Sequence, residues 1–124
     1  MKSDFVAYTD VRRVLPTGEE RAVRLGITLP VRVSDHEWTC SVTDPETTAL
    51  MAVSGNDGIQ AVSLALEFLG RRMKELRSLG FAWKTPGCDD DFPIDPVFFR
   101  ESWIRSLEMK PKSEPERAAN GRQR

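Results

Sequence analysis

The strongest constraint on the fold is a change in the hydrophobic period of the sequence near Gly55. Before this point, apolar residues occupy six successive odd positions, with polar residues, glycine or proline between them: Val23, Leu25, Ile27, Leu29, Val31 and Val33. An alternation with a period of two is typical of a strand with one buried face. Pro30 has no N–H to donate, so it predicts a bulge, a break or an edge in that strand.

After Gly55, apolar residues recur at spacings of three and four: Ile59, Val62, Leu66, Leu69, Met73 and Leu76. This spacing predicts an amphipathic helix over residues 57–79. Asp57 and Gln60 match a capping box, in which Asp57 accepts a hydrogen bond from a backbone N–H and Gln60 reaches back to the Asp57 backbone. Gly80 supplies a left-handed stop beyond the last turn.

The predicted helix carries more apolar surface than a sheet alone can cover, because Leu64 and Phe68 widen its apolar face. We expect the C-terminal segment to cover this flank, and a dimer interface is the alternative. Asp95 and Pro96 are typical of a helix start and predict a short C-terminal helix. One side of that helix would carry Phe99, Trp103, Ile104 and Leu107.

Three further strands complete the predicted sheet. They cover residues 5–15, the alternating run of Trp38, Cys40 and Val42, and residues 50–54. We therefore predict an α+β fold. It has about four antiparallel strands, one long amphipathic helix packed on the sheet and a short C-terminal helix.

The length and charge of the chain define its domains. A chain of 124 residues has room for one hydrophobic core, and we assign residues 1–109 to a single α+β domain. Residues 110–124 hold five basic and two acidic residues, a net charge of +3, and no aromatic residue. Such a segment buries too little apolar surface to offset its ordering entropy, so we predict a disordered tail.

The sequence also predicts a location in the cell. The chain starts Met-Lys-Ser-Asp, without the apolar core of a signal peptide, and it contains no apolar run of membrane-spanning length. We predict a cytoplasmic protein with no membrane association. Cys40 and Cys88 are expected to be free thiols, because a domain of this size does not need a disulfide.

Three motifs resemble a known family. They are Leu25-Gly26 followed by Pro30, the Trp38-Thr-Cys40 strand, and the run from Gly55 to Leu66 with Asp57, Gln60, Ala61, Leu64 and Ala65 at fixed positions. Together they resemble a family of small, mostly bacterial proteins catalogued as a domain of unknown function, over roughly residues 10–84. The resemblance implies strands followed by one helix, and it implies no activity, cofactor or substrate. By analogy with small bacterial proteins in toxin and immunity gene clusters, it suggests an immunity role.

The sequence assigns no catalytic, cofactor-binding or metal-binding residue. It has one histidine and no recognisable carboxylate pair for acid–base chemistry. One Cys and one His far apart fall short of a zinc site, and the acidic run at 89–91 lacks the spacing of a calcium loop. A net charge of −1 argues against nucleic acid as a partner. An enzyme is therefore the least favoured function.

The remaining functional signal is a combination of aromatic and acidic residues near the C-terminus. Large aromatics near loops can anchor a protein partner, and an acidic loop can steer a basic one. The predicted partner-binding residues are Trp83, Asp89, Asp90, Asp91, Phe92, Phe98 and Trp103. The same aromatics could instead form a small core beneath the loop.

We therefore predict a protein-interaction module that acts on a protein partner. The most specific form of this prediction is an immunity-type protein that neutralises a toxin through an acidic, aromatic surface. The alternatives are a structural homodimer and a small-ligand-binding protein.

Overall fold

A computed structural model describes residues 4–99 of the chain. These residues form an α+β domain, which confirms the predicted fold class. In chain order the elements are β1 (Phe5–Val14), β2 (Glu20–Thr28), β3 (Val31–Ser34), β4 (Glu37–Thr43), β5 (Leu50–Gly55), α1 (Gly58–Ser78), β6 (Ala82–Lys84) and α2 (Ile94–Phe98). The predicted tail at 110–124 lies outside the described residues.

The six strands form one antiparallel sheet. β6 pairs with the end of β1, and β1 pairs along its length with β2. β4 pairs with β2 and β3 along one edge and with β5 along the other. β2 and β3 are therefore the two halves of the strand predicted around Pro30, and β6 is an additional short strand.

A bulge around Pro30 reverses the faces of that strand. Ile27 pairs with Val42 and Val31 pairs with Thr39. Four residues on one strand thus match three on the other, and one extra residue turns every later side chain to the opposite face. Val31 and Val33 are consequently 58% and 57% exposed. The prediction of one continuously buried face is correct as far as Ile27 and wrong beyond it.

α1 packs on one face of the sheet, and in its first two turns the buried side chains are smaller than its apolar spacing predicts. Its buried residues are Ala61, Ala65, Leu69, Gly70, Met73 and Leu76. Ile59, the first residue of the predicted stripe, is 81% exposed. The reason is close approach to β5, since a Cβ atom added at Gly55 would lie 2.6 Å from the Ala61 nitrogen. Only small residues fit between backbones at that separation.

Both ends of α1 are set by local hydrogen bonds. Asp57 accepts a hydrogen bond from the Gln60 N–H at 2.8 Å. The Gln60 side chain accepts from the Asn56 N–H rather than from the expected Asp57 N–H. At the other end, the Phe81 N–H donates to the Leu76 carbonyl at 3.0 Å and Gly80 has a φ of 104°. This Schellman arrangement confirms the predicted stop.

α2 covers a different flank of α1 from the one expected. A Cβ atom added at Gly70 would lie 2.6 Å from Phe98 Cβ, so α2 crosses α1 at this glycine. Gly70 and Phe68 lie about 160° apart around the helix at about 100° per residue. Leu64 remains exposed. The expectation that the C-terminal helix covers Leu64 and Phe68 is therefore wrong for the described part of that helix.

Candidate interaction surface

The acidic loop, defined as residues 87–91, is held in a fixed conformation by the strand that precedes it. Lys84 and Asp91 form an isolated antiparallel bridge. The Thr85 N–H donates to the Asp90 carbonyl at 2.9 Å. Gly87 adopts a φ of 81°, which a side chain would disfavour. The chain therefore turns back on itself, and its three aspartates are exposed.

Two of the aromatic residues near this loop, Trp83 and Phe92, are buried beneath it rather than exposed. Trp83 is 2% exposed, and its Nε1–H donates to the Met73 carbonyl at 2.9 Å. Phe92 is 8% exposed, and its ring centroid lies 6.1 Å from that of the half-buried Phe98. Trp83 and Phe92 thus belong to the core, which corrects the expectation that they contact a partner. Trp103 lies outside the described residues.

The aspartates differ in their charge environment. Asp91 pairs with Lys84 at 2.8 Å, and Asp89 lies 3.5 Å from Arg12. Arg12 also forms an ion pair with Glu20 and donates to the Cys88 carbonyl. Within residues 4–99, no cation lies within 4.0 Å of the Asp90 carboxylate. Asp90 therefore carries the least compensated charge of the loop.

The charge pairs shift the pKa values of their members. The hydrogen bond from Lys84 lowers the pKa of Asp91, and the same contact raises the pKa of Lys84. In the neighbouring pair, the hydrogen bond from Arg24 lowers the pKa of Asp10. All four groups are therefore charged at neutral pH.

The sheet face opposite α1 adds a shallow depression beside the acidic loop. It has a volume of about 360 Å³ and is lined by Asp10, Val11, Arg12, Ala22, Val23, Arg24 and Pro86. Arg24 bonds to Asp10 at 2.8 Å and its guanidinium lies 4.0 Å from the centroid of the Tyr8 ring.

Sequence reasoning missed this depression, although the even positions of β1 offered a signal. Tyr8, Asp10 and Arg12 alternate along the strand and must share one face. Asp10 and Arg24 are cross-strand neighbours in the register of β1 and β2. A residue-by-residue register for these two strands would have brought the opposite charges together.

The remaining reactive side chains have structural environments. Cys40 is buried, and its Sγ lies 3.3 Å from the Thr28 carbonyl, to which it donates. Burial raises the pKa of the Cys40 thiol, so the thiol is uncharged at neutral pH. Cys40 and Cys88 are both free. In the described region, no three His, Cys, Asp or Glu side chains are grouped as metal ligands would be.

The described helices give no sign of a membrane-spanning segment. Between residues 4 and 99, neither helix combines the length and the apolar character needed to cross a bilayer.

Comparison with known proteins gives one match. The model of DUF6968, a domain of unknown function, matches residues 11–94. The match begins within β1, includes the acidic loop and ends at the first residue of α2. It thus continues beyond Lys84, where the expected resemblance ends. No curated protein and no solved structure matches the chain. Because the family model covers more than half of the sequence, the chain belongs to the DUF6968 family.

Proposed function

We propose that this protein is a non-enzymatic protein-interaction module that binds its partner through the acidic loop and the adjacent depression. The observation that carries this proposal is the support of the loop by buried Trp83 and Phe92. A loop that is already ordered loses little conformational entropy on binding, which favours affinity. The loop also presents exposed aspartates.

The charges of this surface favour a basic partner. Asp90, which has no cation within 4.0 Å among residues 4–99, would pair with a Lys or Arg side chain of the partner, and Asp89 is only weakly held by Arg12 at 3.5 Å. The depression next to the loop, which small Ala22 helps to line, can receive an inserted side chain. Complementary charge mainly increases the rate of association.

The specific biological setting that we propose is a bacterial cytoplasm, with a basic toxin as the partner. The support for this setting is the analogy with small bacterial proteins of toxin and immunity gene clusters, together with the acidic loop. Neutralisation of a toxin requires only a complementary surface and no chemistry by the protein itself.

Native mass spectrometry of the protein captured from its host lysate tests this proposal. We expect a stoichiometric second chain with the natural sequence, and its loss when Asp89, Asp90 and Asp91 are all replaced by Asn. The matched control replaces Glu19, Asp35 and Glu37 by Gln, Asn and Gln, which removes the same charge from exposed positions elsewhere. Retention of the second chain by the loop variant, or its loss from both variants, would contradict the proposed surface.

A structural homodimer is the second candidate, and the edge of the sheet at β5 favours it. β5 pairs only with β4 among the described strands, so its outer edge has unpaired N–H and C=O groups. Met51 of β5 and Leu64 of α1 are both exposed. Sedimentation analysis distinguishes the candidates: Leu64→Glu should dissociate a dimer formed there and leave the binding of a separate partner unchanged.

A further inference from the structure

β1 has an incompletely paired edge. One edge of the strand pairs with β2 from Phe5 to Val14. The other edge pairs with β6 only at Arg12, Arg13 and Val14. Along residues 5–11, the outer edge of β1 has no strand partner among residues 4–99. Such an edge exposes backbone groups that another segment can bind.

An apolar groove lies beside this edge, on the face of the sheet that carries α1. Its walls are Ala7 of β1, Leu66 of α1 and the α2 residues Val97 and Phe98. Ile27 and Leu69 line it more deeply. Its volume of about 160 Å³ is smaller than the roughly 300–1,000 Å³ of typical small-molecule sites. The groove is therefore of a size for side chains rather than for a cofactor.

The position of the chain at the end of α2 favours the segment that follows it as the occupant of the groove. The described residues end at Phe99, directly after two residues that form a wall of the groove. The next residues of the sequence include Trp103, Ile104, Leu107 and Met109. A spacer of three residues, 100–102, spans up to about 10 Å when extended. A segment on so short a tether has an effective concentration on the order of millimolar at the groove. A separate chain of equal affinity would compete with it only at a higher concentration.

We propose that residues 103–109 of the same chain dock into this groove and cover the free edge of β1. The docked segment would bury Val97, which is exposed. It would also block the addition of a strand from another chain along residues 5–11. This proposal concerns the face of the sheet opposite the depression, so it does not rest on the acidic loop or on its partner.

Paramagnetic relaxation enhancement in the full chain tests the proposal. A nitroxide is attached at Lys110→Cys in a Cys88→Ser background, since buried Cys40 is protected from labelling. We expect the methyl signals of Ala7 and Ile27 to be lost. A label at Thr17→Cys, in the turn beyond the opposite end of β1, should leave both signals intact, since the seven residues of strand from Ala7 to Val14 already span about 23 Å.

A second variant separates docking from simple tethering. Trp103→Asp with Leu107→Asp keeps the tether length and removes the apolar side chains, so the Ala7 and Ile27 signals should return. Equal signal loss in both proteins, or no loss in either, would overturn the proposal. A mixture of isotope-labelled chains without nitroxide and unlabelled chains with nitroxide tests a second copy as the occupant. Signal loss in that mixture would also overturn the proposal.

Discussion

At the scale of single residues, the three aspartates of the acidic loop have different contacts. Asp91 is tied to Lys84 and Asp89 lies near Arg12, while Asp90 contributes its backbone carbonyl to the loop. Exposed ion pairs of this kind contribute little to stability. They connect the loop to Arg12 of β1 and Lys84 of β6. The carboxylate of Asp90 has no cation within 4.0 Å among residues 4–99.

The pair of Asp91 and Lys84 should respond to pH in a defined direction. The pKa of Asp91 lies below the ordinary value of 3.8. The stabilisation from this pair is therefore fully present above pH 3.8 and is lost as the pH falls through the lower folded-state pKa. Carboxyl carbon NMR should show a titration midpoint below 3.8 for Asp91.

Two variants check the cause of that shift. In Lys84→Met, the midpoint of Asp91 should rise toward 3.8, because the hydrogen bond and the positive charge are removed together. Lys74→Met removes a lysine that pairs with Asp95 instead and should leave Asp91 unchanged. An unchanged midpoint in Lys84→Met would refute the assigned cause.

At the scale of elements, steric limits decide how α1 meets the sheet. The approach of β5 to α1 at Gly55 and Ala61 places small residues where the helix is buried. The crossing of α2 over Gly70 follows the same rule on the other side of α1. Larger apolar residues such as Ile59 and Leu64 are consequently left exposed. Side-chain volume therefore limits burial at these close approaches, whereas Leu69, Met73 and Leu76 are buried as the hydrophobic spacing predicts.

Alanine at Gly55 should destabilise the fold. The added Cβ atom would lie 2.6 Å from backbone nitrogen, which must move to make room. Overpacking of this kind typically costs about 1–3 kcal/mol. Gly58→Ala is the matched control, since its added Cβ would lie 3.4 Å from a Trp38 ring atom. Urea denaturation should show a loss for Gly55→Ala and little change for Gly58→Ala; equal stabilities would contradict the steric argument.

At the scale of the whole molecule, one core joins the sheet, α1 and the buried aromatic residues next to the acidic loop. Cys40, Met73, Trp83 and Phe92 all belong to the same buried cluster. The acidic loop is therefore anchored in the core that holds α1 on the sheet. Loop geometry and global stability should change together.

The reactivity of the two thiols should show whether this core unfolds as one unit. Cys88 is exposed and Cys40 is buried in the cluster, so Ellman's reagent should modify one thiol in the folded protein and two after denaturation. Because small domains usually unfold in one step, the modification of Cys40 should follow the loss of helical circular dichroism with denaturant. Reaction of Cys40 well before the helix unfolds would show that the core opens locally. Cys88→Ser should abolish only the fast reaction.

Much of the fold could be predicted because its signals are local. The ends of α1 depend on Asp57 and Gly80, which act on neighbours a few residues away. The family relationship was also readable, from the motifs at Trp38 and at the start of the helix. The candidate site was only partly predictable: the aspartates are exposed as expected, whereas Trp83 and Phe92 are buried. The depression required the cross-strand register of β1 and β2.

The sequence by itself determined the type and order of the elements, because hydrophobic period and capping chemistry operate within one strand or one helical turn. Tertiary structure decided where burial departs from that period. The bulge around Pro30 exposed Val31 and Val33, and α2 settled against Gly70 instead of the flank of Leu64. The pairing of Arg12 with the acidic loop joins residues 76 or more positions apart. Burial and charge pairing depend on such distant partners, which no local pattern encodes.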